Sequence, residues 1–407
     1  MKILMVNKFL FPNGGSETYI FKLGEELEKM GQEVQYFGME HPKRIVGNRV
    51  ESYTSNMDFH TGKIQKFLYP FKIIYSVEAK KKLRLVMEDF KPDIVHLNNF
   101  NFQLTPSIIY EVRRFNNKYN KRTALIYTAH DYQWVCPNHM LRIPKNGELC
   151  MRCVCGDLWS CIKYNCIHNS KIKSILGTIE GGLYAFLKTY SYVDKIICPS
   201  EFMNSVLSNN RLFSGKTVTL HNFIERHENM QKVKSEKKEY VLYFGRYAEE
   251  KGVRTLLQAC SELIEIPFVF AGNGPLEDEV NRVSNIQNRG FLEGKELEET
   301  IRKARFVIFP SEWYENCPFS VMEAQMYGTP VLGANIGGTP ELIKEHKTGE
   351  LFESGNIEAL KSGIKQMWDD ETCCEKYEAE CEDIYFDTTK EYCDKMLKIY
   401  MQARKEE

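Results

Sequence analysis

No unbroken apolar run of about 18 residues occurs in this 407-residue chain, so no segment is expected to span a bilayer as a helix. The opening stretch, Met1 to Val6, is followed at once by Asn7 and Lys8, too short for a signal-peptide core; it reads as a buried strand. Low-complexity tracts and short-period repeats are also missing. With 43% hydrophobic and 27% charged residues, the composition excludes a disordered chain. Net charge is nearly absent, at −1, yet it is unevenly spread. Residues 1–200 hold 28 Lys and Arg against 18 Asp and Glu, a net of +10, and the remainder carries −11. A basic half joined to an acidic half suggests one lobe that faces something anionic, either nucleic acid or a membrane surface.

Secretory cysteine spacing is lacking too. There are 13 cysteines, an odd number, and six fall between Cys136 and Cys166. Together with the lack of a signal peptide, this points to a reducing, cytoplasmic setting. The segment contains Cys136, Cys150-Met-Arg-Cys153-Val-Cys155, Cys161 and Cys166. A CxxC pair followed by two further cysteines suits a structural zinc site built from Cys150, Cys153, Cys161 and Cys166. The five-residue step from Cys161 to Cys166 departs from the usual CxxC repeat, and reduced free thiols or a redox-labile cluster are the alternatives.

At this length two domains are expected. Strand-like runs alternate with helical patterns nearly throughout: Ile3–Val6, Val34–Phe37, Asp93–Leu97, Ala124–Thr128, Lys195–Cys198, Val218–His221, Tyr240–Phe244, Pro267–Ala271, Phe306–Phe309 and Pro330–Gly333. Several are continuous apolar runs, as parallel strands covered on both faces require. The expectation is an α/β chain of two Rossmann-like, doubly wound domains. Residues 1–224 form the first, with the cysteine-rich insert at 136–168. Residues 225–239 are a polar linker, 240–385 the second domain, and 386–407 a helix that can pack on either lobe.

Glycine turns follow several strands. Gly14 and Gly15 stand between the first strand and a helix, where backbone N–H groups and the helix start favour a phosphate; a plain loop is the other reading. Gly245-Arg246 and Lys251-Gly252 follow the first strand of the second half, and two cations so spaced can clamp a diphosphate without metal. Asn273 lies in a further Gly-Asn-Gly-Pro turn. Most specific is the run from Pro310 to Ala324. Pro318 suits a helix start, which leaves Glu315 on the loop and sets Glu323 in the helix's second turn. The N–H groups about Asn316, Cys317, Pro318, Phe319 and Ser320 are then available to donor hydroxyls or phosphate.

In order, the GGSE loop, His130 after a strand, the GR…KG pair, GNGP, the Glu-x7-Glu element and Gly337-Gly338-Thr339-Pro340-Glu341 resemble the retaining family-four glycosyltransferases of GT-B fold. That resemblance spans Met1 to about residue 385. It implies two lobes facing across a cleft, with the acceptor on the first and the nucleotide-sugar donor mainly on the second. It gives the diphosphate to the Gly15 N–H, Arg246 and Lys251, the ribose to Glu323, the donor sugar to Glu315 and His130, and the base to the backbone around Arg289. It implies no cofactor for the chemistry. Glu315 is followed by Asn-Cys-Pro-Phe where many relatives have Gly-Phe-Gly, so the sugar is not inferred.

The expected activity is sugar transfer from a nucleotide diphosphate donor, UDP-linked, to a hydroxyl of a saccharide or lipid-linked saccharide in cell-surface polysaccharide synthesis. A GT-B sugar-nucleotide epimerase and a non-catalytic nucleotide-sugar-binding subunit are the alternatives. The basic surplus falls in His60–Met87, where Lys63, Lys66, Lys72, Lys80, Lys81, Lys82 and Arg84 alternate with apolar residues. That suits peripheral contact with the inner face of an anionic membrane, or an ordinary helix with solvated lysines. No nucleic-acid-reading motif accompanies the charge.

Overall fold

The computed structural model describes residues 1–56, 72–225 and 240–405. Almost all of the expected 225–239 linker lies outside these, as do Lys63 and Lys66. The chain divides into two compact units, Met1–His221 with Thr389–Glu407, and Asn222–Thr388.

The first unit holds strands β1 Lys2–Val6, β2 Glu33–Phe37, β3 Ile94–Leu97, β4 Ala124–Thr128, β5 Lys195–Cys198 and β6 Thr217–Thr219. They form one sheet in the order β2-β1-β3-β4-β5-β6, parallel throughout. β1 runs into the helix Gly15–Lys29, and β4 into the cysteine-rich segment. The final helix, Thr389–Lys405, belongs to this unit; its Tyr392 hydroxyl meets that of Tyr19 at 2.9 Å.

The second unit repeats the plan with β7 Val241–Phe244, β8 Phe268–Ala271, β9 Ile286–Asn288, β10 Phe306–Phe309, β11 Val331–Ala334 and β12 Gly349–Phe352. The order is β12-β11-β10-β7-β8-β9, again parallel. The reason for the unbroken apolar runs is visible here. Val241 and Tyr243 enter one buried cluster while Leu242 and Phe244 enter another, and β10 divides its residues the same way. A strand with helices on both faces has no position left for a polar residue.

In each sheet the strand order reverses once, between β1 and β3 and between β7 and β10. At such a switch point the loops leaving the carboxyl ends diverge and open a crevice, where ligands of this fold class sit.

Candidate functional site

In the second unit, two sequence features arrive at its switch point. After β7 the chain turns at Gly245, with φ +146°, and again at Gly252, with φ +69°. A Cβ on Gly252 would stand 1.8 Å from the Pro310 carbonyl oxygen, so only glycine lets the β7 loop lie against the β10 loop. The Glu312 N–H donates to the Glu250 carbonyl at 3.0 Å and stitches the two together. This brings Lys251 Nζ to 2.6 Å from Glu315 Oε1, with Ser311 Oγ donating to the same oxygen at 2.9 Å. Lys251 also lies 5.2 Å from the centre of the Trp313 ring. Glu315 is buried. A buried carboxyl group needs partners for its oxygens, and Lys251 and Ser311 are those partners. Arg246 pairs with Glu250 while its own side chain stays largely exposed.

The Glu315 loop is held from behind. Gly338 N–H donates to the Glu315 carbonyl at 2.7 Å, and a Cβ on Gly337 would fall 2.4 Å from that same oxygen. The expected helix start is present: Phe319–Met326, with Pro318 as N-cap and no side-chain cap. Phe319 and Ser320 begin that helix and Glu323 is half-buried in its second turn. Asn316 is half-buried beside it. Cys317 is buried, its carbonyl bound by Asn222 Nδ2 at 2.9 Å, and burial pushes its thiol up to about 12, so it is a packing group. Asn273 is exposed, its carbonyl accepting from the Tyr247 N–H at 2.8 Å. The Arg289 side chain is turned onto Thr300 and Glu296, at 2.7 and 3.0 Å, and its backbone N–H onto Phe270.

In the first unit, Gly14 caps the helix Gly15–Lys29 without a side-chain hydrogen bond. Asn7, fully buried, donates to Glu17 Oε1 at 2.9 Å and accepts from the Asn99 N–H at 3.0 Å. Asn99 Nδ2 in turn donates to Ser16 Oγ at 2.9 Å, so the residues after β1 and β3 fix the glycine loop between them. His130, two residues past β4, places Nε2 2.9 Å from Asn98 Oδ1 and its ring edge-on to Tyr19 at 5.0 Å. Asn98 Nδ2 donates to the carbonyls of Val6 and His96, which leaves Oδ1 to accept and sets the His130 proton on Nε2. Burial pushes His130 down to about 3; the imidazole is neutral. Sequence reading missed Asn7, Asn98, Asn99 and Ser311. The signal was there for the asparagines, each of which follows an apolar strand where a buried amide must have a partner.

The cysteine-rich segment differs from the expected zinc set. All the thiols are free, and they interact most strongly in two couples, Cys136 with Cys153 and Cys161 with Cys166. Each couple splits its thiols: Cys136 and Cys161 are lowered by the neighbouring thiol, whereas Cys153 and Cys166, which sit against the more readily ionised sulfur, are raised. Cys150 instead meets Arg152 at 3.4 Å. Four thiolates on one zinc need mutual spacings of about 3.8 Å, given a Zn–S length of about 2.3 Å. Among the described residues, the one group of three potential ligands whose atoms fall within 4.8 Å is Glu345, His346 and Glu350. No three of the Cys150, Cys153, Cys161 and Cys166 sulfurs lie within 4.8 Å of one another in this arrangement. The basic helix Val77–Phe90 also resolves: Leu83 and Val86 are core residues, and Arg84 pairs with buried Glu111 at 3.0 Å. No helix among the described residues is long and apolar enough to cross a membrane.

Residues 13–228, just over half of the chain, match the family model "Glycosyltransferase Family 4", and residues 225–382 match "Glycosyl transferases group 1". An uncharacterized 42.6 kDa protein of the Klebsiella pneumoniae cps region is 25% identical over 84% of this chain and 88% of its own length. The O-antigen chain mannosyltransferase C of Escherichia coli is 27% identical over 46% of this chain and 54% of its own. Other curated relatives are matched over 27% and 58% of their lengths. Among solved structures, sucrose-phosphate synthase from Thermosynechococcus elongatus has a TM-score of 0.70 at 16% identity, covering 98% of both chains. Anabaena HepE in complex with UDP gives 0.64 at 13% identity, over 99% of this chain and 100% of that one. Both likenesses show the fold.

Proposed function

Since the chain belongs to glycosyltransferase family 4, we propose that it moves a sugar from UDP to a hydroxyl of a saccharide or lipid-linked saccharide, with the anomeric configuration retained. The observation that carries this reading is the Lys251–Glu315 pair at the β7/β10 switch point, with Arg246 one loop turn away. Departure of a nucleoside diphosphate builds negative charge, and two cations fixed there in advance stabilise it without a metal. Glu315, once Lys251 turns to phosphate, accepts from donor sugar hydroxyls, and Glu323 takes the ribose. The uncapped N–H groups at Phe319 and Ser320 suit a phosphate or a hydroxyl oxygen.

In the first unit, the helix start at Gly14 and Gly15 has the same affinity for anions, and Asn98 holds neutral His130 in one tautomer, with its proton on Nε2 and Nδ1 as the acceptor nitrogen. The acceptor is assigned to this unit. Its hydroxyl attacks on the leaving-group side and passes its proton to a departing phosphate oxygen. A UDP base is supported by the UDP complex of the Anabaena neighbour, and a polysaccharide acceptor by the O-antigen and cps relatives.

Incubation with UDP-, GDP- and ADP-sugars and a saccharide acceptor tests the reading. Acceptor-dependent release of UDP, with an α-linked product from an α-linked donor, is expected. Release from GDP-sugars alone would overturn the base, and an inverted product the stereochemistry. Interconversion of free UDP-sugars without transfer would favour an epimerase.

A further inference from the structure

The helix Lys171–Phe186 carries an apolar stripe that stands exposed among the described residues. Ile172, Ile179, Leu183 and Phe186 follow one another at helical spacing along one face, Leu187 extends it, and Trp159 stands on the preceding short helix. Phe186 is 83% exposed, Trp159 77% and Ile172 73%. Scattered exposed apolar residues need no explanation, whereas a continuous face with two aromatic rings does.

The opposite face explains why the stripe points outward. Ser174, Gly177, Glu180 and Tyr184 are buried. A Cβ on Gly177 would come 2.3 Å from Ile167 Cδ1, so the helix lies close on the cysteine-rich segment. Ser174 Oγ accepts from the Ile167 N–H at 3.0 Å, and Thr178 Oγ1 donates to the Leu158 carbonyl at 3.3 Å. The Ser174 and Thr178 hydroxyls lie beside the Cys161 thiol and hold it lowered. The paired thiols thus form the bed on which the helix rests. Apart from Tyr184, the residues that face the protein are small or polar, while large apolar ones face away, the reverse of an ordinary surface helix.

Charge selects the occupant. From Leu158 to Lys188 the chain has Lys163, Lys171, Lys173 and Lys188, all exposed, and a single acid, Glu180, which is buried. An apolar stripe with aromatic rings and a lysine fringe matches the boundary between acyl chains and anionic headgroups. We propose that this face seats the first unit on an anionic lipid bilayer, with Trp159, Leu183 and Phe186 entering the interface and the lysines meeting headgroup phosphates. The surface is other than the 60–87 segment suggested by charge alone, and it does not rest on the donor site.

Co-sedimentation with vesicles of phosphatidylcholine alone, and of equimolar phosphatidylcholine and phosphatidylglycerol, is the test. The protein should bind the anionic vesicles, less so at high salt, with Trp159 emission shifting to the blue and the shift lost in Trp159→Phe. Leu183→Gln with Phe186→Gln should lower partitioning roughly tenfold or more, as should Lys171→Glu with Lys173→Glu. Circular dichroism and UDP binding should stay unchanged, since these side chains are exposed. No binding at low salt, or equal binding by both variants, would overturn the proposal. So would a dimer in solution that Phe186→Gln converts to monomer, since the face would then be covered by a second copy.

Discussion

Lys251 and Glu315 stand 2.6 Å apart with the carboxylate buried, and neither is settled without the other. Lys251→Ala leaves Glu315 with Ser311 as its one remaining partner in that contact. A cost of about 3–5 kcal/mol is expected from breaking such a pair, and a smaller one when both members are removed. Denaturant titration of Lys251→Ala, Glu315→Ala and the double variant measures this. Turnover should fall by about tenfold or more in Lys251→Ala through kcat; a change confined to acceptor KM would place the lysine elsewhere. Glu180 behaves differently. It is buried under the exposed helix and burial raises its carboxyl to about 8, against an ordinary value near 4.5. The folded chain therefore binds a proton that the unfolded chain has released between those values. Stability from this group is full below about pH 4.5 and is lost as pH rises through about 8. Glu180→Gln should flatten that slope, so that the variant gains on the parent as pH rises from about 5 to about 9. An unchanged difference across that range would place Glu180 in contact with water.

At the scale of elements, the second unit depends on loops that approach more closely than side chains permit. Gly252→Ala would force a Cβ onto the Pro310 carbonyl at a backbone angle of +69°, and so drive the β7 loop off the β10 loop. Reduced UDP affinity is expected with both strands intact, because the change strikes the turn that aims Lys251 and not the strand. Calorimetry with UDP reads the loss; affinity equal to the parent would separate the turn from the nucleotide site. Most of this framework was legible in the residues. The ten runs expected as strands coincide with observed strands to within a residue or two, since a strand buried on both faces must be apolar at every position. The two strands that escaped, Ile286–Asn288 and Gly349–Phe352, lie at sheet edges and carry the polar residues Gln287, Asn288 and Glu350, the last buried and bound by Tyr377 and His346. Glycine turns pointed to Arg246 and Lys251, and the helix start at Pro318 to Glu315, because turns and caps leave a local mark. They did not point to Ser311, whose role is set by a contact across four residues of folded loop. Spacing also left open how the cysteines meet. Cys136 joins Cys153 across 17 positions of irregular chain, and no periodicity encodes that closure.

Across the whole chain, the last helix completes the core of the first unit. Tyr400 Oη lies 2.7 Å from His96 Nδ1, His96 Nε2 2.7 Å from Thr128 Oγ1, and Thr128 3.2 Å from the Tyr19 hydroxyl, which reaches Tyr392. Burial holds His96 down at about 3, so the network is a chain of neutral groups, each of which must be satisfied. Tyr19 and His96 also flank the ring and the Asn98 that fix His130. Residues 389–405 are made after the rest of the first unit, and the contacts they form with Tyr19 and His96 span more than 300 positions. Such closure is slow, and the first unit cannot finish folding before it. Tyr400→Phe should leave His96 Nδ1 unpaired at a cost of about 1–3 kcal/mol. A chain ending at Thr388 should lose far more, because Tyr392, Met396 and Tyr400 leave the core together. Hydrogen exchange resolved by peptide mass distinguishes the two units, which need not unfold as one. Tyr400→Phe should weaken protection across β1, β3 and β4 while β7, β8 and β10 keep theirs. Equal loss in both sets would mean that the helix stabilises the chain as a single body, and full protection throughout would remove the Tyr400–His96 bond from the account of what holds the first unit closed.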